Sequence, residues 1–161
     1  TAYPQPPAAR PGLGKALGGR IYGVPFGQTD ATALADLMTG TAASHLRVTP
    51  WRMLFLEDAT AADVPGFLCA PHPLLHVAAC PGAPACAQAS IATRDLARLL
   101  AGDVKGTLLV SGCDKGCARR TPAAMTLVGR DGRFDLVLEG TPADTPARKG
   151  LTQADVLELL C

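Results

Sequence analysis

Six cysteines stand in the 161-residue chain, and four of them fall into two pairs. Cys80 and Cys86 enclose Pro-Gly-Ala-Pro-Ala, and Cys113 and Cys117 enclose Asp-Lys-Gly. An apolar run that reads as a strand precedes each pair, Leu74 to Ala79 and Thr107 to Val110, so both pairs sit where a strand ends and the chain turns. Four thiolates converging from two such turns would make a soft, all-sulfur site, suited to zinc or to an iron–sulfur cluster. Zinc pairs usually lie about two to four residues apart, so the wider first gap favours a larger object, a cubane cluster. Glycines at 82, 112 and 116 would let backbone N–H groups approach the sulfurs, and such hydrogen bonds set a cluster's potential. The plainer reading, buried free thiols in a core, does not account for two pairs at two strand ends.

A cluster on four thiolates is net negative, and Lys115, Arg119 and Arg120 follow closely. They could neutralise it, grip a substrate rich in carboxylates, or form an ordinary solvated basic loop; Arg suits a carboxylate by its bidentate fork and Lys as a point charge. Cys69 reads as a buried thiol, and the terminal Cys161 gives no indication of a role. His45, His72 and His76 form no ligand pattern, and no Ser-His-Asp or paired-carboxylate arrangement is present. The glycines at 12, 14, 18 and 19 follow no strand and so do not make a phosphate loop.

Cys-x5-Cys followed by Cys-x3-Cys resembles the cluster-binding signature of the nitrite and sulfite reductase superfamily. There the resemblance implies a 4Fe–4S cluster held by Cys80, Cys86, Cys113 and Cys117, with the last cysteine also bridging to the iron of sirohaem. The reductases commonly carry Pro-Asn inside the second pair. Here Asp114-Lys115 stands instead, and Cys113-Asp-Lys-Gly-Cys117-Ala-Arg looks like the precorrin-3B synthase branch. Tyr22-Gly-Val-Pro-Phe-Gly-Gln28 and Leu46-Arg-Val-Thr-Pro-Trp-Arg52 are similar to the ferredoxin-like half-domain that precedes the cluster domain in these enzymes.

The resemblance covers about residues 11–161. It implies an oxygen-dependent monooxygenase that converts precorrin-3A to precorrin-3B in aerobic cobalamin biosynthesis. Lys115, Arg119 and Arg120, with Arg47 and Arg52 on a strand facing the macrocycle, are the implied substrate-binding residues; Arg47 and Arg52 could equally form surface salt bridges. Two alternatives stay open: an assimilatory sulfite or nitrite reductase with sirohaem as cofactor, or a non-catalytic iron–sulfur or tetrapyrrole-binding module. Members of the superfamily have two similar halves, so the chain reads as a C-terminal half lacking its N-terminal partner. Alone it is expected to be inactive and to lose its cluster in air. An apolar joint left open would favour a homodimer through Leu46, Val48, Trp51, Met53 and Phe55.

Bulk composition narrows the classes further. Fifteen basic and 14 acidic residues leave a formal charge of +1, which gives no electrostatic case for nucleic acid. Aromatics at 4% make stacking on single strands a poor fit. No apolar run nears the roughly 18 residues that span a bilayer, and no leader peptide is visible. Six cysteines could pair as disulfides in a secreted protein, but a chain this long and 48% hydrophobic does not need such staples. A reducing cytoplasm is the expected setting.

The elements that must carry these residues form an α+β pattern, a ferredoxin-like half-domain followed by a mixed-sheet cluster domain. Residues 1–19, rich in proline and glycine, read as a linker. Residues 20–70 read as strand, helix, strand, strand, helix: a strand from Arg20 to Phe26, a helix capped at Thr29 or Asp30 and ended by Gly40, strands on either side of Pro50, and a second helix from about Thr60 to Leu68. In residues 71–161 a helix from about Gln88 to Ala101, a hairpin around Asp131-Gly132, a proline-rich loop over 140–150 and a closing helix from Thr152 to Leu160 are expected.

Overall fold

The computed structural model describes residues 9–160, which divide into two compact units, the first ending at His72 and the second beginning at Pro73. The architecture is α+β, with one sheet in each unit.

The first unit is built on strands β1 (Gly14–Ala16), β2 (Gly19–Gly23), β3 (His45–Val48) and β4 (Met53–Glu57), with helix α1 (Ala31–Thr41) between β2 and β3. All pairings are antiparallel, in the order β1-β2-β4-β3. Alternation along β2 and β4 sends Tyr22, Leu54 and Leu56 to one face, where they bury Leu37 of α1 together with Val64 and Phe67. Asp30 caps α1, its Oδ1 accepting from Ala33 N at 2.8 Å.

Four expectations for this unit need correction. Residues 14–16, read as linker, form β1; the pairing of Lys15 with Arg20 and Ala16 with Gly19 is made by backbone, which a Gly- and Pro-rich composition hides. Residues 1–8 of that linker lie outside the described residues. Strand β2 stops at Gly23 because Pro25 and Phe26, the latter at φ 56°, turn the chain into a short 3₁₀ turn. Helix α1 runs through Gly40 and closes at Ala42 in the left-handed region, φ 53°. The helix expected over 60–68 is absent. Pro65 removes a donor, Gly66 takes φ 89°, and Leu68 pairs with Gly23 instead. Buried Tyr22 holds that segment, its hydroxyl donating to Ala62 O at 2.8 Å. Of the residues expected at an open apolar joint, Val48 on the edge strand β3 is 80% exposed, while Met53 is buried.

The second unit carries β5 (Val77–Ala79), α2 (Arg94–Leu99), β6 (Leu108–Ser111), β7 (Ala123–Arg130), β8 (Arg133–Gly140), β9 (Arg148–Leu151) and α3 (Gln153–Glu158). Strands β5, β6 and β7 are parallel neighbours, and β7, β8 and β9 continue antiparallel, so the sheet is mixed. Strand β6 is buried at every position, as the unbroken run Leu108-Leu109-Val110 suggests for a strand covered on both faces. A parallel pair needs a crossover, and α2 lies in the one from β5 to β6. The β7–β8 hairpin turns through Asp131 and Gly132, both left-handed at φ 49° and 73°, as the Asp-Gly pair requires.

Here too some elements differ from the sequence reading. The run before β5 begins as a 3₁₀ turn, Pro73–His76. Helix α2 starts at Arg94, not near Gln88, because the backbone ahead of it is engaged elsewhere: Ala83 N donates to Ile91 O and Ser90 N to Gly112 O. Strand β9, inside the stretch read as a loop, is a charged edge strand whose outward residues show no alternation. Helix α3 begins in a capping box, Thr152 with Asp155, and turns Val156 inward. Among the described residues no helix is long and apolar enough to cross a membrane.

Candidate functional site

Parallel strands bring their C-terminal ends to the same edge, and β5 and β6 use that edge for the two cysteine-bearing turns. Their register sets Ala79 beside Val110, so Cys80 leaves the sheet next to Ser111. Cys80 N donates back to Val110 O at 3.2 Å, and Gly112 N donates to Cys80 Sγ at 3.1 Å. The Cys80–Cys86 turn folds back on itself, with Cys86 N donating to Gly82 O at 2.8 Å. It ties to the second turn through Ser90 N and Gly112 O at 3.0 Å. Ser111 Oγ donates to Cys113 O at 2.7 Å and fixes the start of the second turn.

The four paired cysteines are free thiols, Cys80 buried, Cys86 and Cys113 half-buried, Cys117 exposed. Among the described residues no three His, Cys, Asp or Glu side chains are gathered as a metal-holding group. The four thiols, expected to converge, are therefore not gathered into one group, although the turns that carry them are hydrogen-bonded to each other. The donor chemistry fits a cluster: thiolate-forming side chains on joined turns, with a backbone N–H on one sulfur. Cys69 belongs to the first unit, where it packs against the Tyr22–Leu37 core.

Two hollows open on this side of the second unit's loops. One, of about 270 Å³, is lined by Ser90, Cys113, Asp114, Gly129, Arg130 and Asp131. The other, of about 400 Å³, is lined by Asp114, Lys115, Gly116, Arg119 and Arg120 with Thr141, Pro142 and Ala143. The three cations singled out in the sequence are thus brought together, but they are not equivalent. Arg119 turns its guanidinium onto its own loop, donating to Thr121 O and Pro122 O at 3.0–3.1 Å. Lys115 Nζ reaches Gln88 Oε1 at 3.4 Å and so links the second cysteine turn to the segment after the first. Arg120 is exposed. On the far wall, Thr141 donates its N–H and its hydroxyl to Asp144, at 2.7 and 2.8 Å. These bonds, the backbone one foremost, hold the Asp144 carboxyl below its usual 3.8.

Arg47 and Arg52 lie in the first unit. Arg47 is an exposed member of β3 and pairs with Glu57 on neighbouring β4. Arg52 sits at φ 57°, gives its carbonyl to Val24 N, and lays its aliphatic stem over Gly27. Sequence reading missed Thr93 and Gly129, both packed on the cysteine turns. Thr93 was hidden inside an expected helix and Gly129 inside a hairpin pattern, and neither carries a motif of its own.

No protein-family model matches the chain. It is 34% identical over 145 residues to a precorrin-3B synthase of Sinorhizobium sp, a match covering 78% of this chain and 31% of that protein. The chain therefore spans about a third of that relative's length. In fold it is similar to the Mycobacterium tuberculosis NirA protein, with a TM-score of 0.62 at 21% identity, covering 96% of this chain and 37% of that one. The sequence relative and the solved fold agree with the resemblance read from the cysteine signature.

Proposed function

From a chain that resembles precorrin-3B synthase and has a NirA-like fold, we propose a segment of a tetrapyrrole-modifying oxidoreductase whose Cys80, Cys86, Cys113 and Cys117 hold a 4Fe–4S cluster. The observation that carries this reading is the pairing of the two cysteine turns at the ends of parallel β5 and β6, with Gly112 N–H on Cys80 Sγ. A bound cluster would supply single-electron transfer. The finer reaction in this reading is the oxygen-dependent conversion of precorrin-3A to precorrin-3B. The protein residues would orient a polycarboxylate macrocycle and balance its charge. Lys115 and Arg120 suit that task better than Arg119 or Arg47, whose guanidinium groups already serve Pro122 and Glu57.

Anaerobic reconstitution of the chain with iron and sulfide tests this. Uptake of about four irons and four sulfides per chain, with a cluster spectrum and no macrocycle band, is the expected result. A full-length protein purified with sirohaem would replace the synthase reading by that of a sulfite or nitrite reductase. Failure of the intact chain to take up iron under reducing, oxygen-free conditions would remove the cluster assignment.

A further inference from the structure

Cys80 is gripped at both of its polar ends. Thr93, 1% exposed, donates its hydroxyl to Cys80 O at 2.6 Å, and Gly112 N–H points at Cys80 Sγ from 3.1 Å. The second contact depends on close packing. A Cβ on Gly112 would stand 2.5 Å from Ala89 Cβ, and one on Gly129 would stand 2.6 Å from Ile91 Cγ2 and 2.7 Å from Gly112 O. Neither glycine is left-handed, so what each one provides is space. The parallel register that sets Ser111 beside Val128 brings Gly112 against Gly129. On the other flank, a Cβ on Gly82 would stand 2.7 Å from Thr93 Oγ1. Three glycine-tight contacts therefore surround one cysteine.

We infer that Thr93 and Gly129, both outside the cysteine pairs, are positioning residues for Cys80. Thr93 anchors its carbonyl, and Gly129 leaves the room in which Gly112 can aim its N–H at the sulfur. That Cys80 is then a cluster ligand rests on the function proposed above; the positioning itself does not. An N–H aimed at a sulfur stabilises negative charge there, and so favours the more negative, reduced form of a cluster.

The test uses the 161-residue chain without metal, with alkylation of each cysteine by iodoacetamide followed by mass spectrometry. Thr93→Val keeps the side chain's shape and removes the hydroxyl. It should raise the Cys80 rate about fivefold through easier local opening, leave Cys69 unchanged, and be reversed by Thr93→Ser. Gly129→Ala should raise the Cys80 rate further. Reconstituted with iron and sulfide, Gly129→Ala should show a lower midpoint potential than the unaltered chain.

A Cys80 rate that matches the unaltered chain in Thr93→Val overturns the inference, as does Thr93→Ser behaving like Thr93→Val. Cys69 and Cys80 rising together, the mark of general loosening, overturns it as well. An unchanged potential in Gly129→Ala overturns the part assigned to Gly129. If the unaltered chain binds no iron, the cluster reading fails while the alkylation rates still decide the positioning; Thr93→Val keeps them readable should Gly129→Ala not fold.

Discussion

The two sheets of this molecule use glycine and strand direction to different ends. In the first unit every strand runs antiparallel to its neighbours, and α1 carries the chain across the sheet between β2 and β3, which flank β4. There the exposed Arg47 is spent on Glu57. In the second unit, parallel β5 and β6 deliver two turns distant in sequence to a single edge, the usual place for a ligand in sheets of this kind. Tight glycines occur in both. Gly19 lets β2 lie against Leu56 O, whereas Gly112 and Gly129 let two cysteine-bearing turns interlock. The first use builds a core. The second builds a core contact that also aims a donor at a thiol.

That contrast can be broken most sharply at the cysteines. Cys113→Ser should abolish cluster uptake in anaerobic reconstitution, because a serine oxygen is a harder and poorer ligand for this iron. Cys69→Ser, in the first unit, should leave iron and sulfide content unchanged; the opposite pattern would move the site. A smaller but still large effect is expected for Gly19→Ala. Its Cβ would stand 2.0 Å from Leu56 O, so backbone must move, at a cost of about 3 kcal/mol in urea unfolding. The reactivity of Cys80 should not change if the two units serve separate roles.

Tyr22→Phe should cost about 1 kcal/mol by loss of the bond to Ala62, seen as a lower urea midpoint with an unchanged slope. The smallest effect concerns acid. Thr141 and Thr152 hold the carboxyls of Asp144 and Asp155 below 3.8 in the folded chain. Groups so lowered stabilise the fold above that value, and the contribution is lost as pH falls through their folded values. Thermal midpoints taken at decreasing pH should therefore fall below pH 3.8, and the double change Asp144→Asn with Asp155→Asn should flatten that fall.

Much of this was legible in the residues, and what was missed follows a physical pattern. The buried strands β6 and β7 and the Asp131-Gly132 turn declare themselves through apolar runs and left-handed positions. Asp30 and Thr152 mark helix starts because their side chains satisfy N–H groups two or three residues on. Strands β1 and β9 were missed because edge strands are held by backbone pairing, which leaves little trace in side-chain pattern. The helix expected from Gln88 starts only at Arg94, and the one expected near Thr60 does not form, where long-range hydrogen bonds, to Gly112 O and to Gly23 O, took the donors that a helix would use.

Cysteine type and spacing by themselves pointed to soft-metal chemistry, since sulfur donors at two strand ends admit few partners. The sequence also determined the family resemblance and the cluster of cations after Cys113. Only the tertiary structure decided which of those cations face a shared cleft and which are spent on their own loop. It alone decided that the Cys80 sulfur receives a backbone N–H, and that Thr93 and Gly129 stand behind it. Such contacts join residues just past the ends of β5 and β6, at the N-cap of α2 and within β7, and it is the sheet's parallel register, not any local pattern, that brings them together.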